Sequence, residues 1–409
     1  MVSELVETAR IAVAEMRKIF PPTPLHRSDY LSDKYDSDIW LKREDLGPVR
    51  SYKLRGAYNA MRKQLDKKYF VCASAGNHAQ GVAFVSKHLG LKASIFMPTT
   101  TPEQKISKTK MFGGDNIEIS LVGDYFDESL AAAKRYSQEQ GAYFISPFDD
   151  IDVIEGQSTV AIEIEDQMAQ MPDTIIMPVG GGGLSSGVIS CLGDRTSYVL
   201  VEPAGAASLR AAILAGKTVK LDKVNPFTDG ASVAKIGELN FGCLKNIGLE
   251  TILTVPEDRI CTTILEMLNV EGIVLEPAGA MSIDVLKDIS ESIRGRRLVC
   301  VTTGGNFDFE RLSEVKERAQ RFAGVKIYLI LKMPQRPGAL KEFLELLGPE
   351  EDITRFEYLK KTARDFGTVL IGIETGAPEK IDLLLRRIKT KGFDYTNITD
   401  DETLSKLLI

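Results

Sequence analysis

From residue 39 to about residue 330, short apolar runs alternate with stretches of helical period, and this alternation constrains the fold more than any other feature of the chain. Residues 70–73, 94–97, 117–121, 142–146, 174–178, 198–201 and 298–301 read as strands, each bounded by Gly, Pro or polar turn residues. The intervals at 54–65, 76–89 and 157–168 carry helical spacing. Strand–helix–strand repetition builds βαβ units, so an α/β fold with largely parallel sheets is expected. In such sheets ligands gather beyond the carboxyl ends of the strands. Three glycine-rich turns fall at those ends: Ser74-Ala75-Gly76-Asn77, Gly180-Gly181-Gly182-Gly183 and Thr303-Gly304-Gly305-Asn306.

The texture changes after about residue 324. A strand at 325–333, a helix at 339–347, strands at 353–360 and 368–374 and a helix at 380–391 make a small βαββα-like unit. Residues 309–321, densely charged, read as the connecting helix. The expected domains are therefore 1–324 and 325–409, in keeping with about 150 residues per domain for a 409-residue chain.

Several function classes are disfavoured by composition. The net charge of −6 is unsuited to nucleic acid, which needs clustered positive charge. Five cysteines without a C-x-x-C pair suggest neither a disulfide framework nor a zinc site, and no other metal site is expected. No apolar run approaches the ~18 residues that a membrane span needs. The first 20 residues carry Glu4, Glu7 and Glu15 on a helical pattern, unlike a signal or transit peptide. A reduced, cytoplasmic enzyme is the expectation.

The chemistry is carried by Lys53 in Ser51-Tyr52-Lys53-Leu54-Arg55-Gly56. A lone lysine is usually a solvated surface charge. This one follows an extended segment and opens a helical pattern, where the positive end of the helix dipole favours the neutral, nucleophilic amine. The four glycines follow an apolar strand, and successive residues without Cβ let backbone amides converge on an anion. No Gly-Lys-Ser/Thr follows them, so this is not a nucleotide-binding P-loop, and no matching acid supports a dinucleotide site. A lysine for a Schiff base and a nest for a phosphate together suit pyridoxal 5′-phosphate. Ser74, Ala75, Gly76 and Asn77 precede a helix, where exposed N–H groups make a carboxylate receptor, although Ser74 could equally be an N-cap. His78 reads as a packed or capping histidine.

Together these blocks resemble the fold-type II pyridoxal-phosphate enzymes, and specifically the biosynthetic threonine dehydratases (threonine ammonia-lyases). The resemblance runs, in order and across nearly the whole chain, through Lys42-Arg43-Glu44-Asp45, Ser51-Tyr52-Lys53-Leu54-Arg55-Gly56-Ala57-Tyr58, Ser74-Ala75-Gly76-Asn77-His78-Ala79-Gln80-Gly81, Gly180-Gly181-Gly182-Gly183-Leu184, Glu276-Pro277-Ala278-Gly279-Ala280 and Thr303-Gly304-Gly305-Asn306. It implies two open parallel-sheet subdomains, the smaller and mobile one over about 50–150. It implies that Lys53 is the catalytic and cofactor-binding lysine and that Tyr52 flanks the cofactor ring. Asn77 would meet the ring hydroxyl, Gly180, Gly181, Gly182, Gly183 and Leu184 the phosphate, and Thr303 the pyridine nitrogen. Ser74, Ala75, Gly76 and Asn77 would take the substrate carboxylate. Some relatives bind a cation beside the position of Glu202, but Ser208 replaces a carboxylate there. Phe307 after Asn306, and the short interval from Gly187 to Tyr198, also depart from the family pattern.

The tail around Gln335-Arg336-Pro337-Gly338-Ala339-Leu340 resembles the single ACT-like regulatory domain of short biosynthetic threonine dehydratases. The resemblance implies β-elimination of L-threonine to 2-oxobutanoate and ammonia, with some activity on L-serine, inhibition by L-isoleucine and a homotetramer. A serine dehydratase or racemase, a β-replacement enzyme and a non-catalytic amino-acid sensor are the alternatives, and the tail could be a plain dimerisation module.

Overall fold

The computed structural model describes residues 2–67, 69–359, 365–401 and 403. It divides the chain into two compact units, Met1–Asp308 and Phe309–Ile409.

Two sheets organise the first unit. The larger runs in the order Leu25–Arg27, Asp38–Arg43, Arg297–Thr302, Thr174–Pro178, Ser197–Pro203 and Ile252–Val255. Every neighbouring pair is parallel except the first two strands. Thr174–Pro178 is buried along its whole length, which is why it reads as an unbroken apolar run rather than an alternating one. Ile175, Met177, Leu200, Val299 and Val301 pack with Val160, Ile164, Leu184 and Val188 to form the core on this sheet.

The smaller sheet has the order Ile117–Leu121, Lys92–Met97, Tyr69–Ala73 and Tyr143–Phe144, all parallel. Its core joins Phe70, Cys72, Ile95 and Met97 to Leu54, Met61, Val82 and Val85 from the helices Lys53–Arg62 and Asn77–Leu89. The parallel pattern of the sequence is thus split between two sheets. The expected strand at 142–146 shrinks to two residues, because only Tyr143 and Phe144 pair with Phe70 and Val71.

In the second unit, the helix Leu312–Phe322 precedes a four-stranded antiparallel sheet ordered Glu351–Leu359, Phe366–Thr375, Lys326–Pro334 and Asp394–Asn397. Its own core contains Leu329, Leu331, Phe343, Val369, Ile371, Leu384 and Ile388. Among the described residues, no helix is long and apolar enough to cross a membrane.

Candidate active site

Three strands of the first unit deliver the glycine-rich turns. Tyr69–Ala73 leads through Ser74, Ala75 and Gly76 into Asn77–Leu89; Thr174–Pro178 leads through Val179 and the glycines into the helix Gly183–Leu192; Arg297–Thr302 leads into Thr303 and Gly304. The Lys53 segment is fastened to the third turn. Tyr52 donates its N–H to the Thr303 carbonyl at 3.2 Å, Gly305 donates to the Arg50 carbonyl at 3.0 Å, and Ser51 and Gly304 form an antiparallel bridge. Arg50 adopts φ +56°, a left-handed conformation that a non-glycine residue holds only where its surroundings fix it.

A cavity of about 650 Å³ lies between the turns. Lys53, Ser74, Ala75, Gly76, Asn77 and Gly181 line it, while Tyr52, Gly180, Gly182, Gly183, Leu184 and Thr303 stand outside its lining. Lys53 is the first residue of its helix and 9% exposed. Its Nζ donates to the Pro147 carbonyl at 2.7 Å and lies 5.3 Å from the Tyr52 ring centroid and 5.9 Å from that of Phe148. Burial lowers the Lys53 pKa to about 8, with the charge of Glu276 opposing the shift. An amine of that kind is partly neutral near pH 7.5, and so able to attack a carbonyl or take a proton.

Behind Lys53, a buried ionic network fixes the first turn of its helix. Arg55 Nε and Nη2 donate to Glu44 at 2.7 and 2.8 Å, and Nη1 and Nη2 donate to Glu163 at 2.8 Å each. Lys42 Nζ adds 2.6 Å to Glu163, and Arg17 pairs with the same carboxylate. Burial works against the Glu163 carboxylate, but Arg55 and Lys42 outweigh it and hold its pKa well below the usual range. The Lys42-Arg43-Glu44-Asp45 block therefore serves as scaffold.

The glycine loop is shaped to hold an anion. Gly182 has φ +92°, and a Cβ on Gly181 would fall 2.2 Å from the Phe148 ring. The Gly181 carbonyl is turned to Asn240 Nδ2 at 2.9 Å and to the Gly237 N–H at 3.2 Å. Among the described residues, no carbonyl or side chain accepts from the N–H groups of Gly180, Gly181 or Gly182. The helix that follows has no acidic residue in its first turn, and Ser185 Oγ within that turn is buried without a partner. A phosphate at this N-terminus would satisfy these groups. The loop and the Lys53 amine therefore fit pyridoxal phosphate.

Asn77 opens its helix after Gly76, which occupies the N-cap position, while Ser74 Oγ accepts the Gly76 N–H at 3.2 Å. Asn77 joins a hydrogen-bonded chain. Lys108 Nζ donates to Asn306 Oδ1 at 2.6 Å, Asn306 Nδ2 to Asn77 Oδ1 at 2.7 Å, and Asn77 Nδ2 to Glu276 Oε1 at 2.7 Å. Burial pushes Glu276 up to about 7, and the Asn77 hydrogen bond pulls the other way. The motif containing Glu276 is plain in the sequence, but nothing there assigns the carboxylate a role. Its position on the cavity wall comes from the helix Pro277–Asp284 packing under the Gly304 turn. Phe148, Lys105, Lys108 and Asp229 also line the cavity from segments without a recognisable motif. His78 is buried, contacts the Ile145 carbonyl at 3.1 Å, and is held neutral by burial, its pKa lowered to about 3. Glu202 accepts the N–H groups of Leu209 and Arg210 at 2.6 and 2.8 Å at the start of the helix Ser208–Ala215.

Fold and site together define a lysine-dependent enzyme with a phosphate-bearing carbonyl cofactor, built on two largely parallel sheets. Residues 17–304 match the family model for pyridoxal-phosphate dependent enzymes, and residues 317–408 match the C-terminal regulatory domain of threonine dehydratase. The biosynthetic L-threonine dehydratase of Bacillus subtilis is 48% identical over 95% of this chain and 93% of its own length. That of Halalkalibacterium halodurans is 44% identical over 99% of each chain. The processed form of threonine deaminase isoform 2 from Solanum lycopersicum superposes with a TM-score of 0.71 at 36% identity, covering 78% of this chain and 94% of that one. The chain belongs to the biosynthetic threonine dehydratases of the pyridoxal-phosphate dependent enzyme family.

Proposed function

We propose that this protein converts L-threonine to 2-oxobutanoate and ammonia as the first step of isoleucine biosynthesis, with a lesser activity on L-serine. Near-full-length similarity to biosynthetic threonine dehydratases carries the reading, and the buried Lys53 amine on the cavity wall supports it. Bound pyridoxal phosphate supplies an electron sink for negative charge at the substrate Cα. Gly180, Gly181, Gly182, Gly183 and Leu184 would hold its phosphate, Asn77 its ring hydroxyl and Thr303 its pyridine nitrogen, with Tyr52 beside the ring. A hydroxyl partner such as Thr303 does not keep that nitrogen protonated, which favours elimination over transamination. The turn formed by Ser74, Ala75, Gly76 and Asn77 takes the substrate carboxylate, and the Lys53 amine removes the Cα proton. The low dielectric that depresses the Lys53 pKa also makes the amine a competent base at neutral pH.

The regulatory tail supports L-isoleucine as an allosteric effector acting through residues 325–409. The proposal further includes a cytoplasmic homotetramer. Formation of 2-oxobutanoate from L-threonine, measured with and without L-isoleucine, tests the reading. Product that isoleucine suppresses is the expected result. Product that isoleucine leaves untouched retires the feedback role, and no product from cofactor-loaded protein retires the substrate.

A further inference from the structure

We propose that the side-chain amide of Gln80 receives the β-hydroxyl of the substrate and makes the cavity select β-hydroxy amino acids. The inference rests on the functional reading above and deepens it. Gln80 lies on the first turn of the helix Asn77–Leu89 and donates its N–H to the Gly76 carbonyl at 3.1 Å. Four residues apart, Gly76 and Gln80 share a helix face, and helical side chains lean toward the N-terminus. Gln80 is 3% exposed and lines the same cavity as Lys53. Its Oε1 is buried with no hydrogen-bond donor among the described residues. A buried carbonyl oxygen is costly to leave unpaired, and the residue that carries this one lines the cavity, so the amide calls for a polar ligand group.

Three polar neighbours on that wall, Lys105, Lys108 and Asn77, are already engaged. Lys105 pairs with Asp229 at 2.7 Å, Lys108 with Asn306, and Asn77 with both Asn306 and Glu276. Of the three polar groups of a β-hydroxy amino acid, the turn takes the carboxylate, and the amino group belongs at the reacting end beside Lys53. The hydroxyl remains. It donates and accepts, and an amide offers one acceptor and two donors, so either orientation of the Gln80 amide gives a pair.

The test compares L-threonine with L-2-aminobutyrate, the same skeleton with hydrogen in place of the hydroxyl. In cofactor-loaded protein, Gln80→Met keeps the length of the side chain and removes both polar ends; Gln80→Leu is the second variant should Met fill the site poorly. The expected result is a loss of about tenfold or more in kcat/KM for L-threonine, with the dissociation constant of L-2-aminobutyrate, read from cofactor absorbance, within about threefold of wild type. Equal losses for both ligands would mean that Gln80 only shapes the cavity, and no loss for either would mean no contact; each overturns the proposal. Wild-type protein that loads cofactor but forms no 2-oxobutanoate counts against the functional reading alone. The ratio of the L-threonine and L-2-aminobutyrate dissociation constants then decides for Gln80, and a ratio unchanged by Gln80→Met overturns it.

Discussion

At the scale of single residues, the site turns on how burial changes ionisable groups. Lys53 has its pKa lowered to about 8, against 10.5 for the unperturbed side chain. At pH 7.5 that raises the neutral fraction from about 0.1% to about a quarter. The direction is set by desolvation of the ammonium, so the gain in free amine comes with rising pH. Cofactor-free protein should therefore take up pyridoxal phosphate faster as the pH rises through about 8, and level off above it, when followed by absorbance. A midpoint near 10 would show an ordinary, solvated lysine. Lys53→Ala should lose the absorbance of the bound cofactor and all measurable elimination, and near-normal turnover in that variant would remove the residue from the mechanism. Glu276, pushed up to about 7, shares the cavity wall and exchanges its proton in the same neutral range.

At the scale of elements, the glycine loop couples a strand end to a helix start, and its conformation leaves no room for side chains. Gly182 holds φ +92°, and a Cβ there would come within 2.9 Å of Asn240 Cβ. Gly182→Ala should cost about 1–2 kcal/mol from the left-handed backbone alone. The affinity for pyridoxal phosphate should fall at least tenfold, because the loop N–H groups proposed to hold its phosphate shift with the loop; equilibrium dialysis and thermal unfolding would check the two effects, and unchanged cofactor affinity would separate the loop from the phosphate. Such features were legible because they are contiguous. Four glycines after a buried apolar run leave few alternatives, and the runs at 117–121 and 174–178 match their strands end to end. Elements whose burial depends on distant partners were not legible. Asp38–Arg43 ends in Lys42 and Arg43, and Lys42 is buried against Glu163 and Gln167, far along the chain, and the Thr23 carbonyl. Leu25–Arg27, Ile252–Val255 and Asp394–Asn397 are short strands at sheet edges, too brief for a periodic signal. The same division holds around the cavity. Lys53, the turn from Ser74 to Asn77 and Glu276 lie in contiguous motifs, although nothing in the sequence assigns the Glu276 carboxylate a role. Phe148 and Lys108 arrive from segments without a motif, and Gln80, inside the Ser74–Gly81 block, reads as one more residue of a helix.

At the scale of the whole molecule, the chain pairs a unit of two parallel-sheet cores with a unit that has an antiparallel sheet and a core of its own. The cavity and the hydrogen-bonded chain from Lys108 to Glu276 draw only on residues of the first unit. The proposed effector at residues 325–409 would act by changing the balance between two states of the enzyme. It could do so only to the extent that it binds one state better, and L-threonine would then change the binding of that effector by the same factor. A coupling of about 1–3 kcal/mol corresponds to a roughly 5- to 150-fold change in affinity. A chain ending near residue 324 keeps Lys53, the glycine loop and both parallel-sheet cores, so it should still form 2-oxobutanoate from L-threonine. Its half-maximal substrate concentration should no longer move when L-isoleucine is added, whereas that of the full chain should rise by a factor within that range. Initial rates across threonine concentrations, with and without isoleucine, decide the matter. Full isoleucine sensitivity in the shortened enzyme would place the effector site in the first unit, and the antiparallel unit would then need a different role.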